Sequence, residues 1–130
     1  MIILYHMPLD WKPLVLLGES DKKMDAALTG MLKRQGVAVV AANTPKELLN
    51  LLDKYKEAID LVCINGRLAS ERGGLLISRA RTIGRNVRVI VVADRDDDRV
   101  NILRYGADEF IQKPLSPDVV AAKIMALIAK

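Results

Sequence analysis

The sequence predicts a single α/β domain in which helices cover both faces of a five-stranded parallel sheet. Short apolar runs alternate with segments whose apolar residues repeat at helical spacing, which is the order that strand–helix repeats produce. The first apolar run, Leu14–Leu17, is unbroken, as expected for a strand that is buried on both faces. A length of 130 residues suffices for one hydrophobic core and is too short for two.

The first half of the chain contains two strand–helix repeats. After the first strand, apolar residues follow at helical spacing: Met24, Ala27, Leu28, Met31 and Leu32. Gly36 ends this helix, and the second strand is predicted at Val37–Ala42. The second helix begins at Thr44, a good capping residue, with Pro45 at its first position. Glu47 completes a capping box with Thr44.

The second half contains three more strands, each followed by a helix. The predicted strands are Asp60–Asn65, Val87–Val92 and Glu109–Gln112. The predicted helices cover Leu75–Ile83, the segment from the acidic turn Asp94–Asp98 to Tyr105, and the segment from Ser116 to about Ala129. Ser116 and Pro117 cap the last helix, whose apolar face is predicted to contain Val119, Val120, Ile124, Leu127 and Ile128.

Five such repeats assemble into a flavodoxin-like (βα)5 three-layer sandwich, for which the strand order 2-1-3-4-5 is expected. In this architecture, sites form beyond the carboxyl ends of the strands, near the switch in strand order. The residues at these ends are Gly18 and Glu19, Asn65, Ala93 and Lys113. We therefore expect any chemistry of this chain to involve these positions.

Two segments of this domain carry a family resemblance. The buried run Asp60-Leu61-Val62-Cys63-Ile64-Asn65 stops abruptly at Gly66, and Gly106-Ala107-Asp108-Glu109-Phe110-Ile111-Gln112-Lys113-Pro114-Leu115 follows later in the chain. From Pro13 to the C-terminus, the chain resembles the receiver domain of two-component response regulators. The resemblance implies two acids after the first strand that hold Mg²⁺ and a phosphorylated aspartate after the third. It also implies a Ser or Thr after the fourth strand and a lysine after the fifth.

The residues at the strand ends depart from this family pattern. Glu19 is the one acid of the expected pair, because Gly18 takes the other position. Asn65 is a neutral amide where the phosphorylated aspartate is expected, and Ala93 has no hydroxyl. Lys113 matches the pattern. We therefore predict a degenerate, or pseudo-, receiver: not an enzyme, without a catalytic residue or a cofactor, and binding Mg²⁺ at most weakly through Glu19.

Two roles remain open for this edge of the sheet. In the first, Asn65 is a hydrogen-bonding plug that ties loops together through its amide, and Lys113 pairs with Glu19. In the second, an unusual residue such as Asp94 accepts a phosphoryl group, which would make the chain an atypical receiver.

The resemblance also implies a protein-binding face, formed by the fourth predicted helix, the fifth strand and the fifth predicted helix. On this chain, the face contains Arg104, Tyr105, Asp108, Glu109 and Phe110. Phe110 matches the aromatic switch residue of the family, and the small side chain of Ala93 leaves space for it to pack inward permanently. We therefore expect a fixed surface that binds a protein partner or a second copy of the chain.

Composition argues against several other classes. The net charge is +4, but no aromatic residues are interleaved with the basic ones, so direct binding of nucleic acid is not expected. The basic residues then form a solvated face or contact an acidic protein. No apolar run is long enough to span a membrane, and His6 is the only histidine, which excludes a histidine-based metal site.

The single cysteine, Cys63, and residues 1–12 are the remaining features of the sequence. Cys63 has no partner for an internal disulfide, and its place in an apolar strand indicates a reducing, cytoplasmic compartment. Residues 1–12 are interpreted as an N-terminal extension, and residues 13–130 as the receiver-like domain.

Overall fold

The computed structural model describes residues 12–65, 68, 74–83, 87–93, 104, 106–112 and 116–129. The strands are β1 (Leu14–Gly18), β2 (Ala38–Ala42), β3 (Leu61–Asn65), β4 (Arg88–Ala93) and β5 (Glu109–Gln112). The helices in this part of the chain are α1 (Lys22–Arg34), α2 (Pro45–Lys54), α3 (Gly74–Arg81) and α4 (Pro117–Ile128). None of these described helices is long and apolar enough to cross a membrane. The predicted helix that ends at Tyr105 lies outside the described residues except for Arg104, which is helical.

The five strands form one parallel sheet in the order β2-β1-β3-β4-β5, which confirms the predicted fold class. Gly18 is paired with Ala42 on one side and with Ile64 on the other, and Asn65 is paired with Val92. The last residues of β1, β3 and β4 therefore lie along one edge of the sheet, which we call the carboxyl edge. The opposite edge, where the strands begin, is the amino edge.

Each face of the sheet has its own hydrophobic cluster. One, the α2/α3 cluster, combines strand residues with side chains from α2 and α3; it includes Leu16, Val62, Ile64, Val91, Ala93, Leu48, Leu52, Leu76 and Ile77. The other, the α1/α4 cluster, includes Val15, Leu17, Leu61, Cys63, Ile90, Leu28, Leu32, Val120 and Ile124. Neighbouring strand residues alternate between the clusters because successive side chains of a strand point to opposite faces.

Helix α2 begins where its capping residues predict. Thr44 Oγ1 accepts a hydrogen bond from the Glu47 N–H at 3.2 Å and lies 3.1 Å from Glu47 Oε1, to which its hydroxyl donates. Pro45 occupies the first turn, where its missing N–H costs nothing. The Leu48 N–H bonds to the Thr44 carbonyl oxygen at 3.0 Å. The backbone that carries Leu48 is therefore fixed from the first turn onward.

The last helix, α4, buries a different set of side chains from the predicted one. Val119 is 40% exposed, whereas the buried residues of the helix are Val120, Ala121, Ile124 and Leu127. These four residues repeat at the spacing of one helical face, and Val119 lies outside it. The prediction for Val119 was wrong because two adjacent valines do not reveal the phase of the helix.

The start of α4 also differs in detail from the prediction. Ser116 is the N-cap residue, but its side chain makes no capping hydrogen bond. A hydrogen bond from the Ser116 side chain instead lowers the pKa of the exposed Asp118 carboxyl, with backbone N–H groups adding to the effect. The negative charge of Asp118 then takes over the interaction with the helix N-terminus.

Arg81, the last residue of α3, connects this helix to the amino edge of the sheet. Its Nε donates to the Gly106 carbonyl oxygen at 2.6 Å and one terminal nitrogen donates to the Val87 carbonyl oxygen at 2.7 Å. The other terminal nitrogen forms an ion pair with Asp108. Asp108 in turn accepts a hydrogen bond from the Val89 N–H at 2.7 Å. These contacts form what we call the Arg81 clamp.

Candidate functional site

The carboxyl edge brings together the residues that the sequence singles out. Gly18 ends β1, Asn65 ends β3 and Ala93 ends β4. Glu19 and Asn65 are 3% and 4% exposed, and they are the buried polar or charged residues of the described part of the chain. Lys113, predicted at the same edge, lies outside the described residues. The centre of the edge is therefore a buried amide beside a buried carboxylate.

Glu19 and Asn65 form a direct hydrogen bond. Asn65 Nδ2 donates to Glu19 Oε2 at 2.8 Å, and the same oxygen accepts the Asp21 N–H at 3.0 Å. The Glu19 N–H donates to the Ala42 carbonyl oxygen at 3.0 Å, which extends the β1–β2 pairing by one residue. The Glu19 carboxylate is therefore oriented by two N–H donors, as a buried charge requires.

A second polar group, which sequence reasoning did not identify, holds the backbone of Glu19. Asn43 Nδ2 donates to the Glu19 carbonyl oxygen at 2.7 Å and also to Asp25 Oδ2 at 3.1 Å. The Thr29 hydroxyl donates to Asp25 Oδ1 at 3.1 Å. These bonds link α1 to the ends of β1 and β2. The available signal was the position of Asn43, a polar residue directly after the second predicted strand.

The space beside Gly18 is filled by apolar side chains. A Cβ atom built on Gly18 would lie 2.9 Å from Leu48 Cδ2 and 3.3 Å from Leu48 Cδ1. Leu68 Cδ1 would be 3.4 Å away. Contacts below 3.0 Å require a neighbour to move, and both leucines are buried. Glycine is therefore the residue that fits the end of β1 in this packing.

These residues do not fit a magnesium ion of the kind that the family resemblance implies. Magnesium prefers several carboxylate and water oxygens in octahedral array. Here, Gly18 offers no side-chain oxygen and Asn65 turns its N–H donor toward Glu19. The Glu19 oxygen that faces Asn65 already accepts two hydrogen bonds. Among the described residues, no group of three acids, histidines or cysteines is placed to hold a metal ion.

Cys63 lies two residues before Asn65 on β3 and is buried. Burial raises the pKa of its thiol to about 12, and the negative charge of Glu19 adds to the effect. The thiolate is the reactive form of cysteine, so this residue is chemically inert at neutral pH. Cys63 therefore acts as a core residue of the α1/α4 cluster.

The predicted binding face is only partly described. Phe110 is partly buried and packs against the α2/α3 cluster, which contains Ala93. Glu109 Oε1 lies 3.9 Å from Lys123 Nζ of α4. Lys123 and Arg104 are exposed, and Glu109 is partly exposed. Asp108 belongs to the Arg81 clamp, and Tyr105 lies outside the described residues.

A parallel sheet in the order 2-1-3-4-5 is the flavodoxin-like arrangement, in which sites form beyond the carboxyl ends of the strands. The family model of the response regulator receiver domain matches residues 15–125. The chain therefore belongs to the response regulator receiver family, as the resemblance predicted. It is a receiver domain of the two-component response regulators.

Individual relatives agree with this assignment. The chain is 32% identical over 118 residues to the transcriptional regulatory protein PmrA of Pectobacterium parmentieri, covering 89% of this chain and 52% of that protein. It is 26% identical to the transcriptional regulatory protein CpxR of Escherichia coli K12, covering 89% of this chain and 49% of that protein. The chain thus spans about half the length of the curated relatives it matches.

A solved structure supports the fold independently. A response regulator from Thermotoga maritima superposes with a TM-score of 0.77 at 24% identity, covering 92% of this chain and 100% of that one. At this identity, the similarity concerns the fold.

Proposed function

We propose that this receiver is a pseudo-receiver, a protein–protein interaction module of two-component signalling that works without phosphorylation. The hydrogen bond from Asn65 to Glu19 carries the proposal. The position where a receiver is phosphorylated is occupied here by an amide that donates to the neighbouring acid. The domain at 13–130, with residues 1–12 as an extension, would act in the cytoplasm.

The chemistry of the two side chains supports this proposal. Phosphoryl transfer to a receiver needs a carboxylate oxygen as nucleophile and a cation that neutralises the charge on the transferred group. The Asn65 amide is neutral and donates its N–H to Glu19, so it supplies no carboxylate nucleophile and no negative charge to a cation. Ala93 supplies no hydroxyl that would sense a phosphoryl group.

Treatment with acetyl phosphate and Mg²⁺, followed by intact-mass measurement, tests the proposal. We expect no phosphoryl adduct on the wild-type chain and none on Asn65→Asp, because that variant still has Gly18 and Ala93 in place of an acid and a hydroxyl. A receiver that retains its full set of acids serves as the positive control. An adduct on the wild type would overturn the proposal, and its mapping to Asp94 would establish an atypical receiver instead. Efficient labelling of Asn65→Asp alone would show that the other losses matter little.

The module is proposed to bind its partner through the face that contains Phe110. Arg104 is exposed there and Glu109 is partly exposed, so both are available to a protein partner or a second copy of the chain. Asp108 forms an ion pair with Arg81, so its proposed role is to fix the backbone that precedes β5.

Phe110 is expected to keep one conformation. Phe110 packs on the cluster that contains Ala93, and Ala93 has no hydroxyl that could change hydrogen-bond partners and so move the ring. Relaxation-dispersion NMR of the Phe110 ring and backbone should show no microsecond-to-millisecond exchange. The matched comparison is Ala93→Thr, which adds a hydroxyl at the end of β4, in the cluster on which the ring packs. Exchange at Phe110 in the wild type would contradict a fixed face.

A further inference from the structure

We propose that Leu48 is the residue that excludes an acidic side chain, and with it a divalent cation, from the end of β1. In this view, the packing of helix α2 against β1 prevents an acid from replacing Gly18. The inference goes beyond the proposed function, because it concerns packing that exists whether or not any residue of the chain is phosphorylated.

The geometry at Gly18 supports this assignment. Both Cδ atoms of Leu48 would contact a Cβ at position 18, and the shorter separation, 2.9 Å, is closer than real Cβ contacts allow. Leu68 adds a contact at 3.4 Å, which is an ordinary van der Waals distance. Leu48 is therefore the side chain that would have to move.

Leu48 has little freedom to move. It is 0% exposed and lies in the α2/α3 cluster, so its Cδ atoms have neighbours on every side and no solvent to enter. Its backbone is held in the first turn of α2 by the bond to Thr44, and Pro45 stiffens the same turn. A retreat of the helix is also limited, because α2 begins at Pro45, shortly after β2 ends at Ala42.

The consequence is that the effect of a substitution at position 18 depends on the side chain at position 48. An aspartate at 18 needs room for its Cβ and for two oxygens beyond it, in the space that Leu48 fills. A divalent cation needs that aspartate, since Glu19 alone cannot supply an octahedral set of ligands. Restoring the acids without reducing Leu48 should therefore fail to create a cation site.

A double-mutant cycle in thermal unfolding tests the coupling. Gly18→Ala should lower Tm by about 5 °C or more, although alanine normally suits a strand better than glycine. In the Leu48→Ala background, the same change should cost nothing or raise Tm, because the Cβ then fills the vacated space. Leu52→Ala is the matched control, since Leu52 lies in the same helix and cluster but is not among the side chains nearest to position 18. There, Gly18→Ala should cost as much as in the wild type.

Isothermal titration with Mg²⁺ tests the exclusion of the cation. Gly18→Asp/Asn65→Asp should bind no Mg²⁺, whereas the same variant with Leu48→Ala added should bind it saturably. Where Leu48→Ala does not fold, Leu48→Val replaces it, because valine also lacks both contacting Cδ atoms. Additive Tm changes in the cycle, or equal Mg²⁺ binding with Leu48 present, would overturn the assignment. Neither result depends on phosphorylation of the wild type, so this proposal and the proposed function fail separately.

Discussion

Replacing Asn65 by aspartate is expected to destabilise the folded chain by on the order of 3 kcal/mol at neutral pH in the presence of a chelator. The substitution changes a donor at 2.8 Å from Glu19 Oε2 into a second buried carboxylate. Two carboxyl groups at that distance cannot both ionise, so the folded variant retains a proton that the unfolded chain has lost. Since the folded state then binds more protons, the destabilisation grows as pH rises from acidic to neutral.

Urea unfolding of wild type and Asn65→Asp at mildly acidic and neutral pH measures this loss. The informative control is Glu19→Gln/Asn65→Asp, which exchanges the amide and the carboxylate and keeps one negative charge in the pair. It should recover most of the lost stability and remove the added pH dependence. If Asn65→Asp were as stable as the wild type at neutral pH, the Asn65–Glu19 bond would not have the structural role assigned to it.

Alkaline destabilisation through Cys63 is the second large effect expected. The thiol pKa is raised from 9.0 to about 12 in the folded chain, so the unfolded chain releases this proton first as pH rises. The contribution of the group is fully present below pH 9 and is lost as pH rises toward 12. The free energy of unfolding should therefore fall by up to about 1.4 kcal/mol per pH unit within this window.

Denaturant unfolding of wild type and Cys63→Ala across the same pH range isolates this contribution. The two proteins share every other ionisable group, so the difference between the two slopes belongs to Cys63. The variant starts from a lower stability because of the cavity it creates, but its curve should be flatter. Parallel curves would show that the thiol titrates alike in the folded and unfolded chains.

Much of the fold follows from local patterns in the sequence. The unbroken runs at Leu14–Leu17 and Asp60–Asn65 mark buried strands, and Thr44 with Pro45 marks the start of α2. Val119 shows the limit of such patterns. Its position relative to the core depends on the rotation of α4 against the sheet, which a run of similar apolar residues leaves undetermined.

The site was predictable at the level of position and not of contact. Strand ends identify Gly18, Glu19 and Asn65 as neighbours, and the Asn65 amide predicts a hydrogen-bonding role, but Glu19 was not identified as its partner. The contact of Leu48 with Gly18 depends on how α2 crosses the sheet, and the role of Asn43 depends on the turn after β2. Both are tertiary arrangements between segments far apart in the chain, and no local spacing encodes them.

The Arg81 clamp has a mechanical consequence for the proposed pseudo-receiver. Arg81 joins α3 to the backbone around Gly106 and, through Asp108, to β4. A force exerted on β5 by a bound partner would reach α3 through the Arg81 contacts. These contacts lie at the amino edge, at the opposite end of the sheet from Asn65. Because α3 carries Leu76 and Ile77 of the α2/α3 cluster, that force is shared with the core. The proposed binding face is therefore coupled to the helical layer through contacts that do not involve Asn65 or Glu19.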